Sequence, residues 1–361
     1  MDFDLSDEQR QLQETIRRFL AERCPAERVR EIMESDSGHD GDLWKGLADL
    51  GVPALLVPEA HGGLASEFLD AALVAEEIGF AAVPGPYLSS TMATVALKES
   101  EDDESKVRWL PKLASGEAIG AVAIGEGASE WAPDRLRTRV EADRLSGDKP
   151  LVLFAAVSDV LIVAAHDGEG PGLWLVERNG PGVTISALRG NDMTRRLDAV
   201  TLDGAPGRKL GGAELLARTM DAGSILLAAD AYGGARRCLE MTTAYALERE
   251  QFGQVIGAFQ GVKHQLADMA CELEPMLALV WYAAHAFDRR PEQTSRHAAM
   301  AKAQLADVYD RIASRAIELH GGIGFTWEFD LHLWFRRALF DRSYLGEAAF
   351  HRERAATIAG W

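Results

Sequence analysis

The sequence predicts three units in chain order: an N-terminal helical domain, a middle antiparallel β-domain and a C-terminal four-helix bundle. Three observations carry this prediction. Apolar residues recur at helical spacing to about residue 115, short β-type runs between turn residues follow to about 208, and long helical runs punctuated by glycine and proline fill the rest. A chain of 361 residues with 47% apolar content is long enough to build two or three cores.

In the first unit, residues 1–115, Ser6 and Gln9 have capping-box spacing and Leu12, Ile16, Phe19 and Leu20 follow on one helical face. Two further helices are expected, Leu43–Leu50 before Gly51 and Phe68–Ile78 before Gly79, each glycine standing where a left-handed C-cap is wanted. The second unit, 116–208, contains the runs 121–124, 151–154, 160–163, 173–176, 183–187 and 199–202. No long helix separates them, and the turns Asp167-Gly168 and Asn179-Gly180 suit consecutive antiparallel strands in a barrel or sandwich. The third unit, 209–361, places Leu226, Leu227, Ala235 and Leu239 on one helix, and Val262, Leu266, Met269 and Leu273 on the next. Pro275 must end or kink that second helix, and a further helix is expected from Arg296 to His320.

Composition excludes several classes of function. Cys24, Cys238 and Cys271 are far apart and form no CxxC pair, which argues against a disulfide framework or a zinc site and for a reducing cytoplasm. The acidic opening MDFDLSDEQRQLQ has no apolar segment of a secretory signal, and no apolar run approaches the roughly 18 residues of a membrane span. A formal net charge of −18 disfavours nucleic acid and anionic membrane as partners. An anionic ligand must then be met locally, by arginines, helix dipoles or backbone NH groups. The nine histidines show neither HxxxH nor HExxH spacing, so no metal is expected.

Two segments of the last unit offer such groups. Arg249-Glu-Gln-Phe-Gly253, followed by Gln260, closes one long helix, and Glu318-Leu-His-Gly-Gly-Ile-Gly-Phe-Thr-Trp327 closes another. An arginine beside a glycine can meet a pyrophosphate at close range, and a Gly-Gly-x-Gly turn admits a ligand to backbone NH groups without Cβ interference. The alternative reading of Gly321 is a plain helix cap. The turn is not a dinucleotide fingerprint, because it follows a helix and lacks GxGxxG spacing. Trp281, Tyr282, Trp327, Trp334 and Phe335 are read either as core or as the lining of a pocket for a bulky polycyclic group, and the Arg336-Arg337 and Arg352-Arg354 pairs as solvated faces or contacts to ligand phosphates.

The order LERxxFG then LHGGxGFTWE in a helical C-terminal domain resembles the acyl-CoA dehydrogenase family. The opening SDEQRQLQETIRRFL, the segment GDLWKGLADLGVPALLVPEAHGG and the helix–β–helix order are similar to it too, over nearly the whole chain. The wording HGGIGFTWEFDLHLWFRRA is similar to actinobacterial members acting on CoA thioesters of steroid side chains. The resemblance implies the acyl-CoA dehydrogenase fold, FAD and an acyl-CoA substrate. It implies that a carboxylate takes the pro-R α-proton while the β-hydrogen leaves as hydride to flavin N5, giving a 2,3-enoyl-CoA. It also implies that FAD lies at a subunit interface, the neighbour contacting the ADP half through Arg249, Phe252, Gln260, Glu318, Gly321, Gly322 and Gly324. Glu318 stands where the family commonly has glutamine.

This chain departs from the family pattern where chemistry is expected. The glutamate of the family's Tyr-Glu-Gly-Thr segment falls on Leu345 in Tyr344-Leu345-Gly346-Glu347, and the second known base location falls on Gly223. Neither residue accepts a proton. Glu347, Asp221 and Asp230 are the remaining carboxylates nearby, each read first as solvated or capping and second as a displaced base. The family's Thr-Glu-Pro-x-Ala-Gly-Ser-Asp stretch falls on Ala123–Glu130, and its aromatic-Ile-Thr segment on Leu151–Phe154, so the threonine hydroxyls that face the flavin are missing. With the ADP-side residues kept and the base lost, the resemblance implies a supporting subunit completing FAD across an interface with a second dehydrogenase-like subunit, as in α2β2 complexes. Two alternatives stand beside it: a self-sufficient homomeric dehydrogenase with a displaced base, and a flavin-free CoA-thioester-binding or scaffold subunit.

Overall fold

A computed structural model describes residues 4–127 and 130–361. Six helices come first: α1 (Asp7–Arg23), α2 (Ala26–Glu34), α3 (Gly41–Asp49), α4 (Phe68–Phe80), α5 (Tyr87–Lys98) and α6 (Asp103–Ala114). The capping box forms as expected: Ser6 Oγ accepts from the Gln9 amide at 3.2 Å and Gln9 Oε1 from the Ser6 amide at 3.0 Å. Gly51 takes a φ of 79° just past α3, the left-handed closure that its sequence position predicts.

Eight strands form the middle sheet: β1 (Gly120–Ala123), β2 (Arg139–Glu141), β3 (Arg144–Leu153), β4 (Val160–His166), β5 (Pro171–Glu177), β6 (Val183–Ala187), β7 (Leu197–Pro206) and β8 (Arg208–Gly211). Their order is β6-β7-β3-β2-β4-β5-β8, with β1 added against β4. Pairing is mostly antiparallel, and β4 and β5 meet through the Asp167-Gly168 turn. The expectation of a wholly antiparallel domain needs correction. β1 runs parallel to β4 from Gly120–Val160 to Ala123–Val163, and β2 makes one parallel bridge to β4. The long excursion from β1 through the β2–β3 hairpin supplies the crossover that a parallel pair requires. Ala121, Leu145, Leu161, Val163, Trp174 and Val200 fill the interior of this sheet.

The chain then returns to helices: α7 (Ala213–Glu248), a hairpin of β9 (Glu250–Gln251) and β10 (Gln254–Val255), α8 (Gln260–Leu273), α9 (Met276–Arg289), α10 (Pro291–His320), a 3-10 turn (Gly321–Phe325), α11 (Leu331–Ser343) and α12 (Ala348–Ile358). Pro275 ends α8 and caps α9, as predicted. α10 begins before the expected Arg296, because Pro291 fits its first turn.

Two features join the units. Gly79 is not a cap: it lies inside α4 with helical geometry, and a Cβ there would run into the Asp230 carbonyl of α7. Gly233 of α7 reciprocates, since its Cβ would strike the Glu76 carbonyl. The two glycines therefore let the α4 and α7 backbones touch. The second feature is a buried charge cluster. Arg337 is fully buried on α11 and grips Asp230 of α7 with Nε and Nη2 at 2.8 Å each, while its Nη1 donates to the Val83 carbonyl at 3.2 Å. Arg195, just before β7, adds a third donor to Asp230 at 2.6 Å. Neither Arg337 nor Asp230 is solvated, contrary to the sequence reading. Helices, sheet and bundle meet at this carboxylate.

Candidate functional site

The loop Tyr344-Leu345-Gly346 between α11 and α12 is the first place to look for a proton acceptor. It is tightly held. Leu345 takes a left-handed φ of 59°, a costly geometry for a non-glycine residue. Lys302 of α10 donates to the carbonyls of Asp341 (2.5 Å) and Gly346 (3.2 Å), and His351 Nε2 meets the Leu345 carbonyl at 3.0 Å. Burial, with the Lys302 and Arg354 charges nearby, pushes the His351 imidazole down to about 3, so the ring is neutral and Nε2–H donates.

Within this frame the two expected base positions converge. A Cβ built on Gly223 would lie 2.5 Å from Leu345 Cδ1, 2.6 Å from Met92 Cε and 2.7 Å from Met92 Sδ. Leu345 and Met92 are both buried. Two apolar side chains thus occupy the spot where either carboxylate would project, and neither can take a proton. Met92 of α5 escaped the sequence reading, because nothing in a helix of small residues marks one methionine as the filler of a site 130 residues downstream in chain order, about the length of a domain.

The remaining carboxylates do not replace the base. Glu347 is exposed at the N-cap of α12, on the solvent side of the loop. Asp221 is neither solvated nor capping, as the sequence reading had it: it is buried, and accepts from Ser295 Oγ at 2.5 Å and Arg354 Nη2 at 2.6 Å. Asp230 has its oxygens taken by Arg195 and Arg337. Arg352 pairs with Asp307 at the surface.

The sheet side of the site is also self-contained. Residues 128 and 129 of the expected flavin-facing stretch lie outside the described residues, but Glu126 within it is buried. Its carboxylate accepts from Lys149 Nζ (2.8 Å), the Thr138 amide (2.9 Å), Thr138 Oγ1 (2.7 Å) and the Arg137 amide (2.5 Å). Burial alone would raise this carboxyl, but Lys149 and the hydrogen bonds hold it down at about 2. These four donors are therefore already used within the chain. Between sheet and bundle remains a cleft of about 290 Å³, lined by Trp131, Leu151, Leu197, Leu339, Phe340 and Tyr344, with Asn191, Asp192 and Arg336 beside them. The expected aromatic lining is elsewhere: Trp334 is buried with Nε1 on the Gly79 and Phe80 carbonyls (3.1 Å each), and Trp327 stacks on His332.

The opposite end of the bundle is open. Arg249 follows α7 directly and is exposed, and among the described residues it forms no ion pair. Phe252 at the hairpin tip is 93% exposed with a φ of 53°, followed by Gly253 at 81°. Its ring meets Phe259 edge-on at 6.2 Å, which puts the tip beside exposed Gln260 at the start of α8. Tyr245, one helical turn before Arg249, stacks on His320 with ring centroids 4.3 Å apart and hydroxyl directed to the His320 carbonyl at 3.5 Å. That contact draws the Gly321 turn to the Arg249 hairpin. Glu318 is exposed in the last turn of α10, Gly321 closes it with a φ of 65°, and added side chains at Gly321 or Gly322 would meet open space. Gly324 differs: it is buried, and a Cβ there would lie 2.7 Å from the Ile317 carbonyl. Arg249, Phe252, Gln260, Glu318, Gly321 and Gly322 thus share one exposed end, and Gly324 supports it from within.

Known proteins match the chain on both flanks of the sheet. Residues 6–117 match the acyl-CoA dehydrogenase N-terminal domain and residues 211–359 the acyl-CoA dehydrogenase C-terminal domain. This chain belongs to the acyl-CoA dehydrogenase family. The acyl-CoA dehydrogenase IpdE2 of Mycolicibacterium smegmatis is 36% identical over 343 residues, which are 95% of this chain and 96% of that protein. Among solved structures, a Tcur3481–Tcur3483 steroid ACAD variant has a TM-score of 0.92 and 31% identity, covering 98% of each chain. The ChsE4–ChsE5 complex from Mycobacterium tuberculosis has a TM-score of 0.91 at 26% identity, covering 100% of this chain and 99% of that one. No helix among the described residues of this chain is long and apolar enough to cross a membrane.

Proposed function

We propose that this chain is the supporting subunit of a heteromeric acyl-CoA dehydrogenase that introduces an α,β double bond into a CoA thioester. In this reading it completes the ADP end of an FAD whose ring is held by a second, dehydrogenase-like subunit, in an α2β2 complex of the cytoplasm. The carrying observation is the packing of Leu345 and Met92 onto Gly223, which leaves this chain without a proton acceptor at either expected position. The two ends of an FAD site meet different conditions here. The Arg249 hairpin and the Gly321–Gly322 turn offer an unpaired guanidinium and open backbone, which fit a pyrophosphate. The sheet side turns its donors onto Glu126 and does not offer them to a flavin ring. FAD, where bound, supplies the hydride acceptor, and the α-proton goes to a carboxylate of the partner.

The relatives support a steroid-derived acyl group as the substrate, since a steroid ACAD is among the structures that this chain resembles. The flavin content of the purified chain, read by absorbance near 450 nm alone and after co-expression with a dehydrogenase-like partner, tests the proposal. Little flavin alone and about one per pair together is the expected result. One flavin per chain alone, bleached by an acyl-CoA, would establish a self-sufficient enzyme. A colourless complex with every partner present would establish the flavin-free scaffold.

A further inference from the structure

Asp341, on the same helix as Arg337, is buried, and neither of its carboxyl oxygens has a hydrogen-bond partner among the described residues when it is drawn as a carboxylate. The hydrogen bonds of the neighbouring arginines and lysine go elsewhere, and Arg195 Nε and the Tyr309 hydroxyl, both buried, make no hydrogen bond to Asp341 or to any other described residue. Arg337 gives Nε and Nη2 to Asp230 and Nη1 to Val83, and Arg195 gives Nη2 to Asp230. Lys302 directs its ammonium at backbone carbonyls of residues 341 and 346, where it neutralises the negative end of α11. What faces the Asp341 carboxyl at hydrogen-bond range is another carboxyl, that of Asp230. Two ionised carboxylates cannot share such a contact, and a buried carboxylate with no donor is far costlier than a buried acid.

We infer that Asp341 holds a proton in the folded chain and donates it to Asp230, so that one hydrogen ion completes the junction of helices, sheet and bundle. Four donors then converge on Asp230: Arg195, two from Arg337, and Asp341. The surrounding titratable groups are consistent with this. α7 contributes Asp230 and Cys238, the segment before β7 contributes Asp192 and Arg195, α10 contributes Lys302 and Tyr309, and α11 contributes Arg337. Burial and the Asp230 charge raise the Asp341 carboxyl well above its ordinary 3.8, against the lowering pull of the two arginines. At Asp230, burial is outweighed by Arg195 and Arg337, and the group stays below the ordinary range. The inference does not depend on which subunit holds FAD.

The sign of the pH effect follows. A folded-state acid whose pKa is raised binds a proton that the unfolded chain gives up, so its contribution to stability falls as pH rises from the ordinary value to the folded one. Asn matches a protonated carboxyl in shape and donates to Asp230 through its amide, so D341N is a mimic without the titration. Urea unfolding of D341N and of the parent is to be compared from about pH 5 to about pH 8. The expected result is a folded D341N whose folding constant gains about tenfold on the parent for each pH unit, until Asp341 ionises in the parent. A constant difference across pH, or a D341N chain that does not fold, overturns the assignment. The carboxyl carbon shift of Asp341 in aspartate-labelled native protein gives a second reading: a protonated-acid value at neutral pH is expected, and a carboxylate value overturns it.

Discussion

Asp230→Ala is expected to cost the folded chain about 3–5 kcal/mol, the usual penalty for stranding buried charges. Its carboxylate takes three guanidinium hydrogen bonds from Arg195 and Arg337, both of which are buried. Removing it leaves those buried arginines without their carboxylate partner, and Asp341 can answer for only part of the loss by ionising. Asp341→Asn, which by itself gains stability on the parent as pH rises, should therefore become damaging in the Asp230→Ala background. Such coupling is what a shared site produces, whereas distant sites add. The urea midpoint of the two single variants and the double variant measures it. An Asp230→Ala chain within about 1 kcal/mol of the parent would show that the junction contributes little.

Leu345→Glu is expected to leave the isolated chain without dehydrogenase activity and about 2–4 kcal/mol less stable. The substitution restores the family's residue type, but the surroundings have changed. The new side chain would end against Met92 and the bare backbone of Gly223 in a space that Leu345 already fills. Without a donor there, burial raises the carboxyl and favours its neutral form, which cannot act as a base at neutral pH. Flavin bleaching by an acyl-CoA in isolated Leu345→Glu would show instead that one residue separates this chain from a complete enzyme.

Much of the architecture was legible in the sequence because it is written locally. The capping box at Ser6, the closure at Gly51 and the break at Pro275 depend on neighbours a few residues away, and each formed where expected. What depended on distant partners was not legible. Gly79 looks like a helix end until α7 lies against it, and the parallel pairing of β1 with β4 follows a crossover that no strand motif announces. Charged residues on helices read as solvated faces, so Arg337, Asp230 and Asp221 were misplaced until their charged partners, 35 to 133 residues away, came into contact. The open end of the bundle was better marked, since Arg249 and Gly321 sit in recognisable turns. The Tyr245–His320 stack that joins those turns carried only a weak signal, Tyr245 standing one helical turn before Arg249 and His320 directly before Gly321.

The mutual approach of Gly79 and Gly233 also bears on what a cut chain would do. The exposed tip at Gly168, in the β4–β5 turn, is where a protease would enter first. Cleavage there leaves α4 on one fragment and α7 on the other, yet their backbones are in contact and Arg337 of the later fragment donates to the Val83 carbonyl of the earlier one. The nicked protein should run as two bands under denaturing conditions and as one particle in its native state, a pair of fragments that stay together without a peptide bond between them.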